Sequence, residues 1–224
     1  MITAERLREI AFWSAELTDE EIERTRRGII EKPFAKGAYI CHKGDKLDPW
    51  IGVISGLVRL GTVSQKGKTV TLAGMRAGIW FGEGSVLKKE ARQYDLVALR
   101  DVKLAMMGSA TFFWLFENSA GFNRFLVKQF NERIGQFIAL VEFDRSLDAT
   151  GKVARNISWL CNPVLVPKAD NQLDITQEEI GLISGVSRQA VNGALQVLEQ
   201  KKLLRVGHGG ITILDLEALS RYED

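Results

Sequence analysis

Residues 176–206 run Thr-Gln-Glu-Glu-Ile-Gly-Leu-Ile-Ser-Gly-Val-Ser-Arg-Gln-Ala-Val-Asn-Gly-Ala-Leu-Gln-Val-Leu-Glu-Gln-Lys-Lys-Leu-Leu-Arg-Val. Two short helices joined by a tight turn are written into this stretch. Thr176 is a helix N-cap, and Glu179 three residues on completes a capping box. Ile180 and Ile183 then share one face. Gly185 stands where the chain must turn, since glycine accepts the left-handed conformation that helix C-termini use. Ser187 is a second N-cap. Beyond it Val191, Leu195 and Leu198, with Ala194 beside them, form an apolar stripe at helical spacing. Arg188, Gln189 and Asn192 take the opposite face. Planar hydrogen-bonding side chains at the start of the second helix of such a pair suit the reading of base edges in a major groove.

The sequence outward supports that expectation. Leu203–Val206, the glycine-rich Gly207-His208-Gly209-Gly210, and Ile211–Leu214 form a strand–turn–strand pattern, a wing placed directly after the second helix. Lys201, Lys202 and Arg205 cluster where a wing would approach phosphates. Thr176, Gln177 and Ser187, at helix starts, are expected phosphate anchors. The alternative is a helical hairpin packed in a core.

This stretch resembles the winged helix-turn-helix of the Crp/Fnr family of bacterial transcription regulators. The family's T-x-x-E-I-G-x-I-x-G-x-S-R run is present as Thr176, Glu179, Ile180, Gly181, Ile183, Gly185, Ser187 and Arg188. The resemblance implies that Arg188 and Gln189 read the half-site of a palindromic double-stranded operator. Asn192 would add a contact one turn on. Members that read the best-known half-site carry glutamate and a second arginine where this chain has Gln189 and Gly193, so its operator is expected to differ.

Charge and composition set bounds. The chain has 224 residues, a formal net charge of +2 and two cysteines. That length suits one large or two modest domains. Residues 145–224 carry nine Lys/Arg and ten Asp/Glu, so DNA affinity must come from locally arranged positive charge and from doubling in a dimer. No apolar run is long enough to span a bilayer and no signal peptide is visible, so a cytoplasmic protein with no membrane partner is expected. Cys41, Cys161, His42 and His208 form no metal-ligand spacing. The oxygen-sensing branch of the family uses an iron–sulfur cluster, which needs more such ligands. No such cluster is expected here, and the cysteines are read as small buried hydrophobes. The sequence has no metal cluster, G-x-S-x-G elbow or P-loop, so an enzyme is not expected.

Residues 1–31 have a helical pattern, with a capping box at Thr18–Glu21 and Phe12, Trp13 and Leu17 packing onto the body. From Pro33 to about Met107 the texture changes. Ten of the 21 glycines lie between Gly37 and Gly84. Between them fall short apolar runs at Tyr39-Ile40, Trp50–Ile54, Leu57–Leu60, Thr69–Leu72 and, past the glycines, Leu96–Leu99. Gly44-Asp45, Ser55-Gly56 and Lys66-Gly67 mark turns. Short strands with such turns predict a sandwich or jelly roll.

This region resembles the cyclic-nucleotide-binding β-roll of the same family, through Lys36-Gly37, Gly44-Asp45, Ile54-Ser55-Gly56, Ala77-Gly78 and Phe81-Gly82-Glu83. The resemblance implies that Gly82, Glu83 and Gly84 open a turn whose N–H groups cradle a phosphate, with Glu83 accepting from a ribose hydroxyl. Nucleotide-binding members then place an arginine and a small hydroxyl residue. Aligned through Val97 without a gap, those positions hold Gln93 and Tyr94, and Arg92 falls one residue early, which on a strand sends it to the opposite face. Lys88 and Lys89 are a second source of positive charge. A structural relic, or a roll fitted to another ligand, is the competing expectation.

Residues 110–145 are helical and aromatic, with a break near Ser119 to Gly121. Phe130, Ile134, Phe137, Val141 and Asp144 recur at four, three, four, three spacing, a heptad seam that suggests a two-stranded interface. By resemblance this helix makes the homodimer and its middle completes the effector site. Phe137 and Ile138 stand where cyclic-AMP-binding members place hydroxyl residues, so cyclic AMP is not the expected effector. Leu147–Gly151 resembles the interdomain hinge.

The expected architecture is α+β: an N-terminal cyclic-nucleotide-binding-like β-roll with preceding helices (1–108), a helical segment with the dimerisation helix (109–146), and a C-terminal winged helix-turn-helix (147–224). The expected function is that of a homodimeric, sequence-specific DNA-binding transcription regulator. A small effector in the roll would control it, and RNA polymerase is a further partner that the resemblance implies. The alternative is a ligand-sensing or protein-interaction module without DNA binding.

Overall fold

A computed structural model describes residues 1–46, 48–63, 69–143, 148–167 and 170–222. Helix α1 (Ala4–Ile10) starts at Thr3, whose hydroxyl accepts from the N–H of Arg6. A 3-10 turn (Phe12–Glu16) and α2 (Asp19–Arg27) follow, the latter opened by the Thr18–Glu21 capping box in both directions. The helical expectation for residues 1–31 fails at its end. Ile29–Phe34 is a strand, β1, whose register from Ile29↔Met107 to Phe34↔Val102 ties it to β8 (Val102–Met107). Long-range pairing decides this segment, and the local pattern does not announce it.

The roll consists of two four-stranded antiparallel sheets. One has the order β1-β8-β3-β6, with β3 at Trp50–Ser55 and β6 at Trp80–Phe81. The other has the order β2-β7-β4-β5, from Tyr39–Cys41, Asp95–Ala98, Leu57–Val63 and Thr69–Arg76. Ile51, Val53, Val58, Leu96 and Leu104 fill the space between them. The expected runs at 39–40, 50–54, 57–60, 69–72 and 96–99 all contribute strand, while the expected turn at Lys66-Gly67 lies outside the described residues. A second core is aromatic. Trp13 lies 5.1 Å from Trp50 and 5.2 Å from Trp80, and Trp50 lies 4.5 Å from Trp80, centroid to centroid. Gly52 permits this packing: a Cβ there would stand 2.3 Å from the Trp80 ring.

Helix α3 (Glu83–Lys88) is short and begins at Gly82, which holds φ +94°. Helix α4 (Ser109–Asn118) ends at Ser119, whose hydroxyl then accepts from the N–H of Phe122 and starts α5 (Ala120–Phe143). Gly121 lets α5 approach the 3-10 turn, since a Cβ there would meet the Glu16 carbonyl at 2.1 Å. The expected seam on α5 divides. Phe130 packs against the aromatic core, whereas Ile134, Phe137 and Val141 are exposed together with Val127 and Ile138. Asp144 lies outside the described residues, as does the expected hinge up to Leu147.

Asp148 caps α6 (Ala149–Leu160) by accepting from the N–H of Gly151 at 2.8 Å. Two more helices, α7 (Gln177–Ser184) and α8 (Arg188–Gln200), pack with α6 around Ile157, Ile180, Val191, Leu195 and Leu198. The wing, β10 (Leu204–Gly207) and β11 (Gly210–Ile213), gains a third strand from β9 (Gln172–Leu173). A short α9 (Leu216–Ser220) closes the chain.

Candidate nucleic-acid interface and effector site

The helix-turn-helix is built by its caps. Thr176 accepts from the N–H of Glu179, and the Glu179 carboxylate accepts from the N–H of Thr176 at 2.8 Å. Gly185 ends α7 at φ +67°, and the Ser187 hydroxyl accepts from the N–H of Ala190 to start α8. With Val191, Ala194, Leu195 and Leu198 buried, the turn geometry leaves Arg188, Gln189 and Asn192 exposed on the outer face of α8. That row has the side-chain chemistry to meet base edges. The wing is held against α8 by Glu199, whose carboxylate accepts from the N–H of Val206 at 2.9 Å.

Two expected phosphate contacts change. The Thr176 hydroxyl already donates to Glu179 at 3.0 Å. With its N–H also given to Glu179, Thr176 has no donor left for a phosphate. Among the described residues, the side-chain hydrogens of Gln177 and Ser187 have no such commitment. Lys201 turns away from the wing: its ammonium lies 4.5 Å from the Tyr222 ring centroid and donates to that hydroxyl at 3.2 Å. Lys202 and Arg205 remain exposed.

In the roll, Gly82, Glu83, Arg92 and Tyr94 come together. Glu83 is 4 % exposed and Arg92 0 %. The expectation that Arg92 faces away is corrected. Residues 91–94 precede β7 and are not strand, so alternation does not apply to them. The Arg92 guanidinium donates to the Gly82 carbonyl at 3.0 Å, to the Tyr94 hydroxyl at 3.3 Å and to the Pro49 carbonyl. It fills the space a side chain at 82 would need, since a Cβ there would lie 2.1 Å from Nη1. Among the described residues its Nε has no partner, and all its acceptors are neutral. A buried cation answered only by neutral acceptors suits an anionic ligand. Gln93, by contrast, is exposed and donates to the Ala91 carbonyl, outside this group. Gly84 has open space where a Cβ would be.

The long helix also enters the site. Arg133 of α5 places its Nε 3.1 Å from Glu83 Oε1 and donates through Nη2 to the Trp80 carbonyl at 2.8 Å. Trp50 Nε1 donates to the other Glu83 oxygen at 3.3 Å. Phe137, one turn beyond Arg133, is 64 % exposed and belongs to the apolar face of α5, not to this buried group. Sequence reasoning missed Arg133. Its spacing of four from Phe137 was the one available signal.

The cysteines are free and buried. Burial raises the Cys41 thiol to about 11 and the Cys161 thiol above its ordinary value. Among the described residues, no cluster of metal-ligating side chains is present, and no helix is long and apolar enough to cross a membrane.

Comparison with known proteins identifies both domains. The cyclic nucleotide-binding domain model matches residues 31–119, and the Crp-like helix-turn-helix domain model matches residues 151–222. The chain belongs to the Crp/Fnr family. It is 28 % identical over 173 residues to the cAMP-activated global transcriptional regulator Vfr of Pseudomonas aeruginosa, covering 75 % of this chain and 81 % of that protein. It is 24 % identical over 203 residues to the cyclic AMP receptor protein of Thermus thermophilus, covering 91 % and 92 %. The solved structure of a putative cyclic nucleotide binding protein from Ruegeria pomeroyi shares the fold, with a TM-score of 0.63 at 17 % identity over 98 % of this chain and 97 % of that one.

In this Crp/Fnr-family chain the two functional halves touch. Arg100, just past β7, bonds Glu179 Oε1 at 2.7 Å through Nε and pairs with Asp174 at 2.7 Å. The Thr71 hydroxyl of β5 donates to the Leu182 carbonyl of α7 at 2.7 Å, and Gly74 leaves room for Ile183 and Leu160. Asp174 is exposed, so its pairing adds little, whereas Glu179 is buried.

Arg100→Ala is therefore expected to cost about 1–3 kcal/mol, the scale of leaving a buried acceptor without its donor. Burial alone pushes the Glu179 carboxyl up, but hydrogen bonds from Arg100 and Thr176 reverse this and hold it below the ordinary value. Such a group adds stability above the unfolded-chain pKa of ~4.3 and loses it as pH falls through the lower folded-state value. Without Arg100 the acid transition should move to higher pH. Denaturant melts across the acid range check this, and an unmoved transition would show that the pair contributes nothing.

Proposed function

We propose that this chain is a sequence-specific DNA-binding transcription regulator, acts as a homodimer and is controlled by a small effector bound in its β-roll. The observation that carries the reading is the exposed row Arg188, Gln189 and Asn192 on a helix whose back is buried. Arg suits guanine, and Gln and Asn suit adenine. The partner is a palindromic duplex with half-sites ~34–36 Å apart, with RNA polymerase as a further partner. The division into 1–108, 109–146 and 147–224, a cytoplasmic location and the lack of catalysis are parts of the same proposal.

The effector chemistry follows from Glu83 and Arg92: an anion carrying hydroxyl groups. Cyclic AMP is not the effector we propose, because the resemblance puts the apolar Phe137 and Ile138 where cyclic-AMP-binding members carry hydroxyl residues, and no iron–sulfur cluster or other cofactor is proposed. Ligand binding near α5 would alter the hinge expected at residues 145–151, and with it the spacing of the two recognition helices.

Selection of bound sequences from random duplex DNA by the purified protein, with and without candidate ligands, tests the function. A recovered palindrome supports it. Failure under every condition, with binding that shows no salt dependence, points to a module that does not contact DNA.

The apolar face of α5 supplies the dimer. Ile134→Asp is expected to convert the dimer to monomer at micromolar concentration, because a charge buried in the seam has no partner. Sedimentation checks this, and an unchanged dimer would place the interface elsewhere.

A further inference from the structure

We infer that the groove between α5 and the face formed by α6 and α9 binds a small organic cation with an apolar body. The groove has a volume of about 470 Å³, within the range of about 300–1,000 Å³ that small-ligand sites occupy. It shares no side chain with the group around Glu83 and Arg92. Trp159 of α6, Pro163 just beyond it and Leu216 of α9 give it apolar surface, and Ala139 of α5 adds to this from the other side. The charged residues that border it are both carboxylates, Glu132 of α5 and Glu217 of α9. Glu217 is exposed and already pairs with Arg221 at 2.9 Å, which leaves Glu132 to set the sign of the site. Glu132 is half-buried. Among the described residues its carboxylate accepts from Asn162 Nδ2 at 2.5 Å, and no cation pairs with it. A partly buried carboxylate without a cation, beside an indole ring, suits an ammonium that pairs with the one and lies against the other.

Gly135 points the same way. It stands on the groove wall in the interior of α5, where glycine weakens a helix relative to alanine. Neither a left-handed backbone nor a close neighbour calls for it, since a Cβ there would meet nothing within 4 Å. Its smallness keeps the groove open. Glu132, Gln136 and Ala139 lie on the side of α5 turned away from Ile134, Phe137 and Val141, because a helix face repeats about every 3.6 residues. The seam of the proposed homodimer therefore does not cover these side chains. An occupant touches α5, which carries the dimer face, and also α6 and α9, which belong to the DNA-binding half. It would reinforce or replace the Glu132–Asn162 bond that joins them. The groove is thus a second input to the packing of the two halves, one that responds to a cation.

The test titrates phenethylamine, an ammonium on an aromatic body, into the full-length protein by calorimetry at near-physiological salt. The parent is expected to bind it and to leave 3-phenylpropionate, the same ring with a carboxylate, unbound. Glu132→Gln, which removes the charge and keeps an acceptor for Asn162, should weaken binding about ten-fold or more. Gly135→Leu, which fills the groove without a clash, should abolish it. If that variant does not fold by circular dichroism, Gly135→Met takes its place. Glu117→Gln, which removes an exposed carboxylate of α4 outside the groove, should bind like the parent. Absence of binding by the parent overturns the inference. So does equal binding of the two probes, unchanged affinity in Glu132→Gln or in the filled groove, or an equal loss in Glu117→Gln. Because no readout uses DNA, the result is independent of the regulator reading.

Discussion

Trp80→Ala should lower the stability of the folded chain by about 3–5 kcal/mol, the range for removing a large aromatic side chain from a core. Trp80 is 1 % exposed and lies against both Trp13 and Trp50. Its indole N–H donates to the Ile10 carbonyl at 3.1 Å. Truncation would therefore leave a void among rigid rings and a carbonyl without its donor, and each costs stability separately. Small proteins are stable by only about 5–15 kcal/mol, so this one change would remove a large part of the total. Trp80→Phe, which keeps most of the volume, should cost less. Urea melts followed by circular dichroism measure both. A loss below ~1 kcal/mol for the alanine variant would mean that the aromatic core collapses to fill the space.

Arg188→Ala should weaken binding to the selected operator by about 1–3 kcal/mol, or roughly 5- to 150-fold, and relax specificity at one base pair. The side chain is exposed at the first turn of α8, and the helix behind it is fixed by Ser187 and by four buried side chains. The folded state should therefore survive the change. Lys202→Ala should instead weaken binding to all duplexes alike and lower the salt slope by ~1. Selection from random DNA separates the two behaviours. If the Arg188 variant recovers the same motif as the parent at every position, Arg188 is not a base reader.

These two expectations differ in how visible their residues were in the sequence. The helix-turn-helix was legible because its signals are local: caps three residues from their partners, a glycine at the turn and apolar residues at helical spacing. All of these recur in α7 and α8. The glycine-punctuated strands of the roll were legible for the same reason. Strand β1 was not, because Ile29–Phe34 is held by partners more than 65 residues away. The effector group was half legible. Gly82 and Glu83 could be placed, but the side to which Arg92 turns depends on residues 91–94 leaving strand geometry, and counting alternate residues gave the wrong face. Arg133 and Arg100 act through contacts 50 and 79 residues away along the chain. Nothing in their immediate neighbourhood marks them among the other exposed-looking charges.

The fit of the Trp80 ring over Gly52 constrains the order in which this sequence can change. A side chain at 52 collides with the ring while tryptophan stands at 80. Position 52 is thus free to vary only in sequences that already carry a smaller residue at 80, and a small residue at 80 leaves a void that a side chain at 52 could fill. Each single step is costly and the double step less so, a case of reciprocal epistasis. Within close descendants of this chain, a change at one of the two positions is expected to be accompanied by a change at the other.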